Sequence, residues 1–327
     1  MTPSERSFSA RAWPVSRRGL LLGAGLLAAG PRWFGGRAAA KTDPLSLEEV
    51  APGGYVQRGV HALVAPSNLG HIANVGCVIG DRAVAVIDSG GSAIHGRRLR
   101  AAIRALTDKP IRYVIATHMH PDHLFGHAAF LLDQPTFVGH ARLPAALAAR
   151  GAYYLDNLRA VLGDLAEGTE VVMPDLLVED ETTLDLGNRR LTLKAHHTAH
   201  TDNDLTVFDR QSRLLWTGDL VFVGRCPVVD GSLLGWIEVL DGLRRHEAAA
   251  IVPGHGPARA IWPDAMAAER RYLTRLRDAL REFLAAGGLL DDAVSTVRLD
   301  DERPNWALFD RYHGRNVSAA YAELEWE

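Results

Sequence analysis

The sequence predicts an α/β fold in which two β-sheets pack face to face and helices cover their outer faces. Three observations predict it. The chain passes through two successive halves of similar size, each a run of short strand candidates followed by helical stretches. The helical stretches keep their apolar residues at helical spacing, so each has one face to bury. At 327 residues, with 47% apolar and 23% charged residues, the chain can bury a full core and has an ordinary globular composition.

Residues 1–40 stand apart. Ser16-Arg17-Arg18-Gly19-Leu20-Leu21-Leu22 sets twin arginines before an apolar run, Leu20 to Ala29, that is too short and glycine-rich to span a bilayer. Ala38-Ala39-Ala40 offers a small-residue cleavage site. Together they predict a twin-arginine export signal, a periplasmic mature protein and no stable membrane insertion after processing. This segment carries six Arg and one Glu, so the formal charge of −3 divides into +5 here and −8 in the remainder. An acidic remainder argues against a nucleic-acid partner, whose phosphates would call for a basic surface.

Residues 41–327 read as a single domain with a C-terminal helical extension. Tyr55 to Ala65 alternates loosely, and Ile72 to Ile79 and Ala83 to Asp88 are short strands joined by a Gly80-Asp81 turn. Ser92 caps a helix through Leu106 that turns Ile94, Leu99, Ile103 and Leu106 to the core. Lys109-Pro110 ends it, Ile111 to Thr117 is a buried strand, and Thr136 to Gly139 is the next strand, followed by a helix from Ala141 to about Leu165. Past the polar Glu167 to Asp175 the pattern restarts. Leu176 to Val178, Arg190 to Ala195, Asp204 to Phe208, Leu214 to Thr217 and Ala249 to Val252 are strand candidates. A helix covers Leu234 to His246, and a long amphipathic one covers Asp264 to Ala286, stopped by Gly287-Gly288. Of the two cysteines, Cys77 reads as a small buried hydrophobe, and no spacing rule joins it to Cys226.

The chemistry concentrates at strand ends. Thr117 to His127 holds four histidines and an aspartate in eleven residues. His118 and His120, two apart in an extended segment, point the same way and can grip one ion. Pro121 suits the first turn of a helix, which aims Asp122 and His123 back at the same pocket. That is more donors than one tetrahedral ion takes from one loop, which points to two ions. Further donors follow later strands: His196-His197-Thr198-Ala199-His200, Thr217-Gly218-Asp219 and Pro253-Gly254-His255-Gly256-Pro257.

In order and spacing, H-x-H-x-D-H, then a histidine before threonine, then T-G-D, then P-G-H-G resembles the metallo-β-lactamase-fold hydrolases, from Val50 to Pro257. The finer likeness is to exported quinoprotein relay system zinc metallohydrolases, through Asp230 to Trp236 (D-G-S-L-x-G-W) and Tyr312 to Val317 (Y-H-x-x-N-V). The resemblance implies a four-layer αββα sandwich. It implies that His118, His120 and His200 hold one metal, and that Asp122, His123 and His255 hold the other. Asp219 would bridge, and Asp122 would be the catalytic carboxylate. The family position falls on His200, not His196 or His197. Asp88 is expected to orient the site without binding metal, and His127 to sit on a helix face. Two divalent ions are implied, zinc suiting the donor set best and iron or manganese remaining compatible. A hydroxide between them would attack a small ester, thioester, lactone or similar substrate. A quinoprotein partner is the further expectation. The alternatives are a β-lactamase and a non-catalytic metal-binding accessory protein. For His313, Asn316 and Trp236, pocket lining competes with plain docking of the tail, and docking is preferred.

Overall fold

The structure, a computed structural model, describes residues 45–327. The predicted export signal lies outside the described residues. No helix among those described is long and apolar enough to cross a membrane.

The first sheet has seven strands in chain order: β1 (Glu48–Ala51), β2 (Gly54–Gln57), β3 (Val75–Ile79), β4 (Val84–Ile87), β5 (Ile111–Ile115), β6 (Thr136–His140) and β7 (Leu176–Val178). It is antiparallel up to β4 and parallel from β4 to β7. Helices make the crossovers: α1 (Ala93–Leu106), the short α2 (Pro121–Leu124) and α3 (Leu143–Leu162). The second sheet is ordered β13-β12-β11-β10-β9-β8. Its strands are β8 (Glu181–Asp185), β9 (Arg190–Ala195), β10 (Leu205–Asp209), β11 (Leu214–Phe222), β12 (Ala250–His255) and β13 (Ala260–Ile261). Around it lie α4 (Leu233–Leu243), α5 (Ala267–Ala285), α6 (Leu290–Thr296) and α7 (Phe309–Leu324).

The layers follow from side-chain alternation. Along β4, Val84 and Val86 face α1, where they meet Leu99 and Ile103. Ala85 and Ile87 face the second sheet, where they join Leu193, Val207 and Trp216. A strand buried on both faces loses the polar alternation of a solvated one. The far face of the second sheet is covered by α4, α5 and α7 through Trp236, Leu240, Tyr272, Leu276 and Val317. Each such large side chain contributes about 1.5–3 kcal/mol on burial. The result is four layers, helix, sheet, sheet and helix, as the sequence predicts.

Several boundaries differ from the sequence expectation. Of the Tyr55 to Ala65 stretch only residues 55–57 are in a strand, the end of β2, and the chain then turns into a loop. The strand predicted from Ile72 begins at Val75, because Asn74 is drawn into side-chain contact with Pro253 and Pro257. Leu106 does not face the core: it is 44% exposed, on the last turn of α1 past the edge of the packed layer. The strand predicted to end at Thr217 continues to Phe222, and β1, β8 and β13 are additional. Cys77 and Cys226 are both buried and free.

Candidate metal centre

The parallel pairs β4–β5 and β11–β12 bring the carboxyl ends of four strands toward one place. From β5 the chain runs through His118 and His120 into α2, with Pro121 at its first position and His120 as an extended N-cap. Asp219 lies inside β11, where the register against β12 slips on either side of Gly218. Gly218 has φ +50°, a conformation that side-chain-bearing residues avoid, and a Cβ there would meet Thr117 Oγ1 at 2.6 Å. Gly254 is tighter still, since its Cβ would lie 2.0 Å from Asp219 Oδ1. Small residues thus let the two sheets close on the aspartate.

All seven residues expected from the sequence come together, in two groups. In one, His118, His120, His200 and Asp219 offer donor atoms within 4.8 Å of one another; in the other, Asp122, His123 and His255 do the same. Asp219 stands between them. Its Oδ2 is 3.5 Å from His200 Nε2, 3.7 Å from His118 Nε2 and 3.4 Å from His255 Nε2, while Oδ1 is 3.0 Å from His123 Nε2. Asp122 Oδ2 is 3.3 Å from His255 Nε2. Only His120 and Asp122 reach solvent appreciably, with side chains 14% and 15% exposed, so the centre opens on their side.

The outer nitrogen of every imidazole is engaged. His118 Nδ1 lies 3.0 Å from Thr117 Oγ1, whose own proton goes to Asp88 Oδ2. His120 Nε2 contacts Asp230 Oδ2 at 2.8 Å, and His123 Nδ1 contacts Asp88 Oδ2 at 2.7 Å. The carbonyls of Val228 and Ile72 accept from His200 Nδ1 (2.8 Å) and His255 Nδ1 (2.7 Å). Each acceptor holds a proton on the outer nitrogen, so that in the neutral ring the inner one carries the free electron pair. Of the inner atoms, His118 Nε2, His123 Nε2 and Asp219 Oδ1 are buried without a hydrogen bond, while His200 Nε2 and His120 Nδ1 face each other at 2.9 Å. Unpaired buried donors of this kind, converging with carboxylates, fit divalent cations.

The electrostatics agree. Burial, with His123 adding to it, drives His118 well below the usual histidine range. Burial takes His200 down to about 3 against the pull of Asp219. Burial also opposes charge on Asp122 and Asp219, but the neighbouring His123 and His255 outweigh it and hold both carboxyls ionised. His123 is the exception among the imidazoles. Burial disfavours its charge, yet Asp219, Asp88 and Asp122 together raise it well above the usual value. Three carboxylates therefore demand positive charge at the point where the two groups meet.

A family profile described as the metallo-beta-lactamase superfamily matches residues 69–255. The chain belongs to that superfamily. Among relatives, it is 23% identical to a linear primary-alkylsulfatase from Pseudomonas sp., over 70% of this chain and 51% of that one. It is 29% identical to the acyl-coenzyme A thioesterase MBLAC2 of Bos taurus, over 51% of this chain and 62% of that one. The chain thus spans about half to three-fifths of the curated relatives it matches. The structure of the stereoselective inverting sec-alkylsulfatase Pisa1 from Pseudomonas sp. superposes with a TM-score of 0.67 at 16% identity, covering 86% of this chain and 50% of that one.

In this superfamily member His196, His197 and His127 stand outside the two groups. His197 is exposed beside Glu238, and His196 bonds Thr206 Oγ1. His127 lies 2.6 Å from Ser89 Oγ and stacks on Phe137. Asp88, with φ +54°, accepts from Thr117 and His123, as an orienting carboxylate would. His313 and Asn316 bond within the tail and its docking surface, while the Trp236 ring packs 5.2 Å from the His200 ring.

Sequence reasoning assigned no role to Asp230, Arg150 or Tyr154. Asp230 anchors His120 and is itself held by Arg150, at 2.8 and 3.2 Å. Arg150 lies over the Tyr154 ring, whose buried hydroxyl has no partner. Nothing in local spacing links Asp230 to a histidine 110 positions earlier.

Proposed function

We propose that this chain is an exported binuclear-metal hydrolase of small esters, thioesters or related acyl or sulfate esters. His118, His120 and His200 would hold one ion, Asp122, His123 and His255 the other, and Asp219 both. The observation that carries the reading is the pinning of all five outer imidazole nitrogens, which points every inner lone pair at one shared space. Five nitrogen donors with two carboxylates suit zinc, and also accommodate iron or manganese. Such a pair supplies an acidified water and a Lewis acid for the electrophile. The protein's own part is orientation. Asp122, at the opening, accepts from an incoming water, while Arg150 and Tyr154 line the same approach.

The relatives' names, an alkylsulfatase and an acyl-coenzyme A thioesterase, support ester-type substrates. The twin-arginine pattern of residues 1–40 supports periplasmic export, with residues 41–327 as one catalytic domain and its helical extension. The Asp230 to Trp236 and Tyr312 to Val317 stretches support a setting beside a quinoprotein system.

The test is metal analysis of the purified chain, joined to a panel of alkyl sulfate, acyl thioester, lactone and β-lactam. Two ions per chain and chelator-sensitive turnover of an ester-type substrate are expected. Full metal loading with no turnover of any member would favour an accessory protein, and preferential β-lactam turnover would favour a lactamase.

A further inference from the structure

The C-terminal segment beyond the family match holds a loop that carries outer partners of the metal centre. Residues 226–232 follow β11 and carry the outer partners of two histidines: the Val228 carbonyl for His200 and the Asp230 carboxylate for His120. The loop is fastened to the C-terminal segment at its start, at its end and twice between them. At its start, Cys226 N–H donates to the Ala307 carbonyl at 2.9 Å. At its end, Glu323 accepts from Ser232 Oγ (2.5 Å) and from Leu233 N–H (2.6 Å). In the middle stands Asn316 on α7, fully buried.

Asn316 grips both sides of Val228. Its Nδ2 donates to the Pro227 carbonyl at 2.7 Å, and its Oδ1 accepts from Val229 N–H at 2.9 Å. The peptide units flanking Val228 are thereby fixed, and with them the direction of the Val228 carbonyl. The neighbouring Arg315 reaches Asp230 Oδ1 at 3.4 Å. One turn of α7 therefore bears on the partners of both His200 and His120, and has no such contact with His123 or His255.

We propose that Asn316 is a positioning residue for the His118–His120–His200–Asp219 group, so that the C-terminal helix sets the affinity of one ion of the pair. An amide is suited to the task, because it offers a donor and an acceptor to opposite peptide units at once. The inference rests on the two-ion reading above.

The test titrates the full-length protein with Zn2+ against a competing chelator, and records the visible absorption after Co2+ loading. Asn316→Ala should weaken one ion about 10–100-fold and leave the other unchanged. The Co2+ spectrum should change for that ion alone. Val317→Ala is the control for a merely structural role. Val317 is equally buried, on the same helix, but packs in the apolar cluster. It should lower the thermal midpoint and leave both affinities intact. Should Asn316→Ala fail to fold, Glu323→Ala frees the downstream end of the loop and should weaken the same ion to a smaller degree. Wild-type affinities in a folded Asn316 or Glu323 variant would overturn the proposal, as would equal weakening in Val317→Ala. A wild type that binds no ions would instead sink the two-ion reading beneath it.

Discussion

Replacing Asp88 with asparagine should disable the metal centre without disturbing the fold. Asp88 sits at φ +54°, a region where asparagine is among the few side-chain-bearing residues commonly found, so the backbone loses nothing. Its Oδ1 accepts from Thr117 N–H at 2.8 Å, and an amide oxygen can do the same. The other oxygen accepts from Thr117 Oγ1 and from His123 Nδ1, at 2.8 and 2.7 Å. An amide nitrogen there is a donor facing a donor. His123 must shift its proton to Nε2, the atom that faces Asp219, and a protonated nitrogen cannot ligate. The Thr117 hydroxyl loses its acceptor too, and the effect reaches His118 Nδ1 at 3.0 Å. A buried donor without an acceptor costs about 1–3 kcal/mol. That range corresponds to roughly a 5–150-fold loss of affinity, at about 1.4 kcal/mol per factor of ten. It overlaps the ~10–100-fold typical of losing a ligand's outer partner. Chelator competition on wild type and Asp88→Asn, with far-ultraviolet circular dichroism as the fold control, measures it. Unchanged affinity for both ions in a native fold would refute the tautomer argument.

Asp219→Ala removes the one carboxylate facing both groups and should lower metal content and hydrolysis together; full turnover after the change would contradict its position between two ions. Gly254→Ala places a Cβ 2.0 Å from Asp219 Oδ1 and 2.7 Å from the Gly218 backbone, which cannot both retreat. It should destabilise by about 1–3 kcal/mol and reduce metal loading, read by denaturant titration and metal analysis. Far from the centre, Glu302 on the segment after α6 is held down to about 2, first by the Arg271 hydrogen bonds, with Asn305, Arg275 and Trp306 adding to them. A carboxyl lowered from 4.5 contributes stability that is complete above 4.5 and disappears as pH falls toward 2, at most about 3 kcal/mol. Glu302→Gln should therefore lower stability at pH 7 and approach wild type near pH 2.5. An equal deficit at both pH values would show that packing, not charge, is what the variant lost.

The ease with which the ligands are read and the difficulty of their partners have one physical origin. His118, His120, Asp122 and His123 fit one strand-to-helix turn, so the spacing that ligation demands is written in consecutive residues. His200, Asp219 and His255 each follow an apolar run that reads as a strand, and that context marks them. The edge strands were harder. In Glu181–Asp185 only Leu184 is buried, so the strand lacks the apolar signature that identifies its neighbours. Conversely, the alternation after Tyr55 continues into a loop because the sheet ends at Gln57. The partners of the imidazoles divide along the same line. Thr117 adjoins its histidine and Asp88 closes a recognisable strand, so both could be suspected. Asp230 is separated from His120 by 110 residues, and its carboxylate has no local reason to be acidic there. The partners of His200 and His255 are the main-chain carbonyls of Val228 and Ile72, which no side chain announces. Such a carbonyl is aimed by whatever fixes its peptide plane. For Ile72 the neighbouring Asn74 is tied to Pro253 and Pro257, on either side of His255 itself. For Val228 the fixing residue comes from the far end of the chain. Asn316, with no ligand chemistry of its own, thus aims the lone pair of His200, and a motif search confined to metal-binding residue types passes over it.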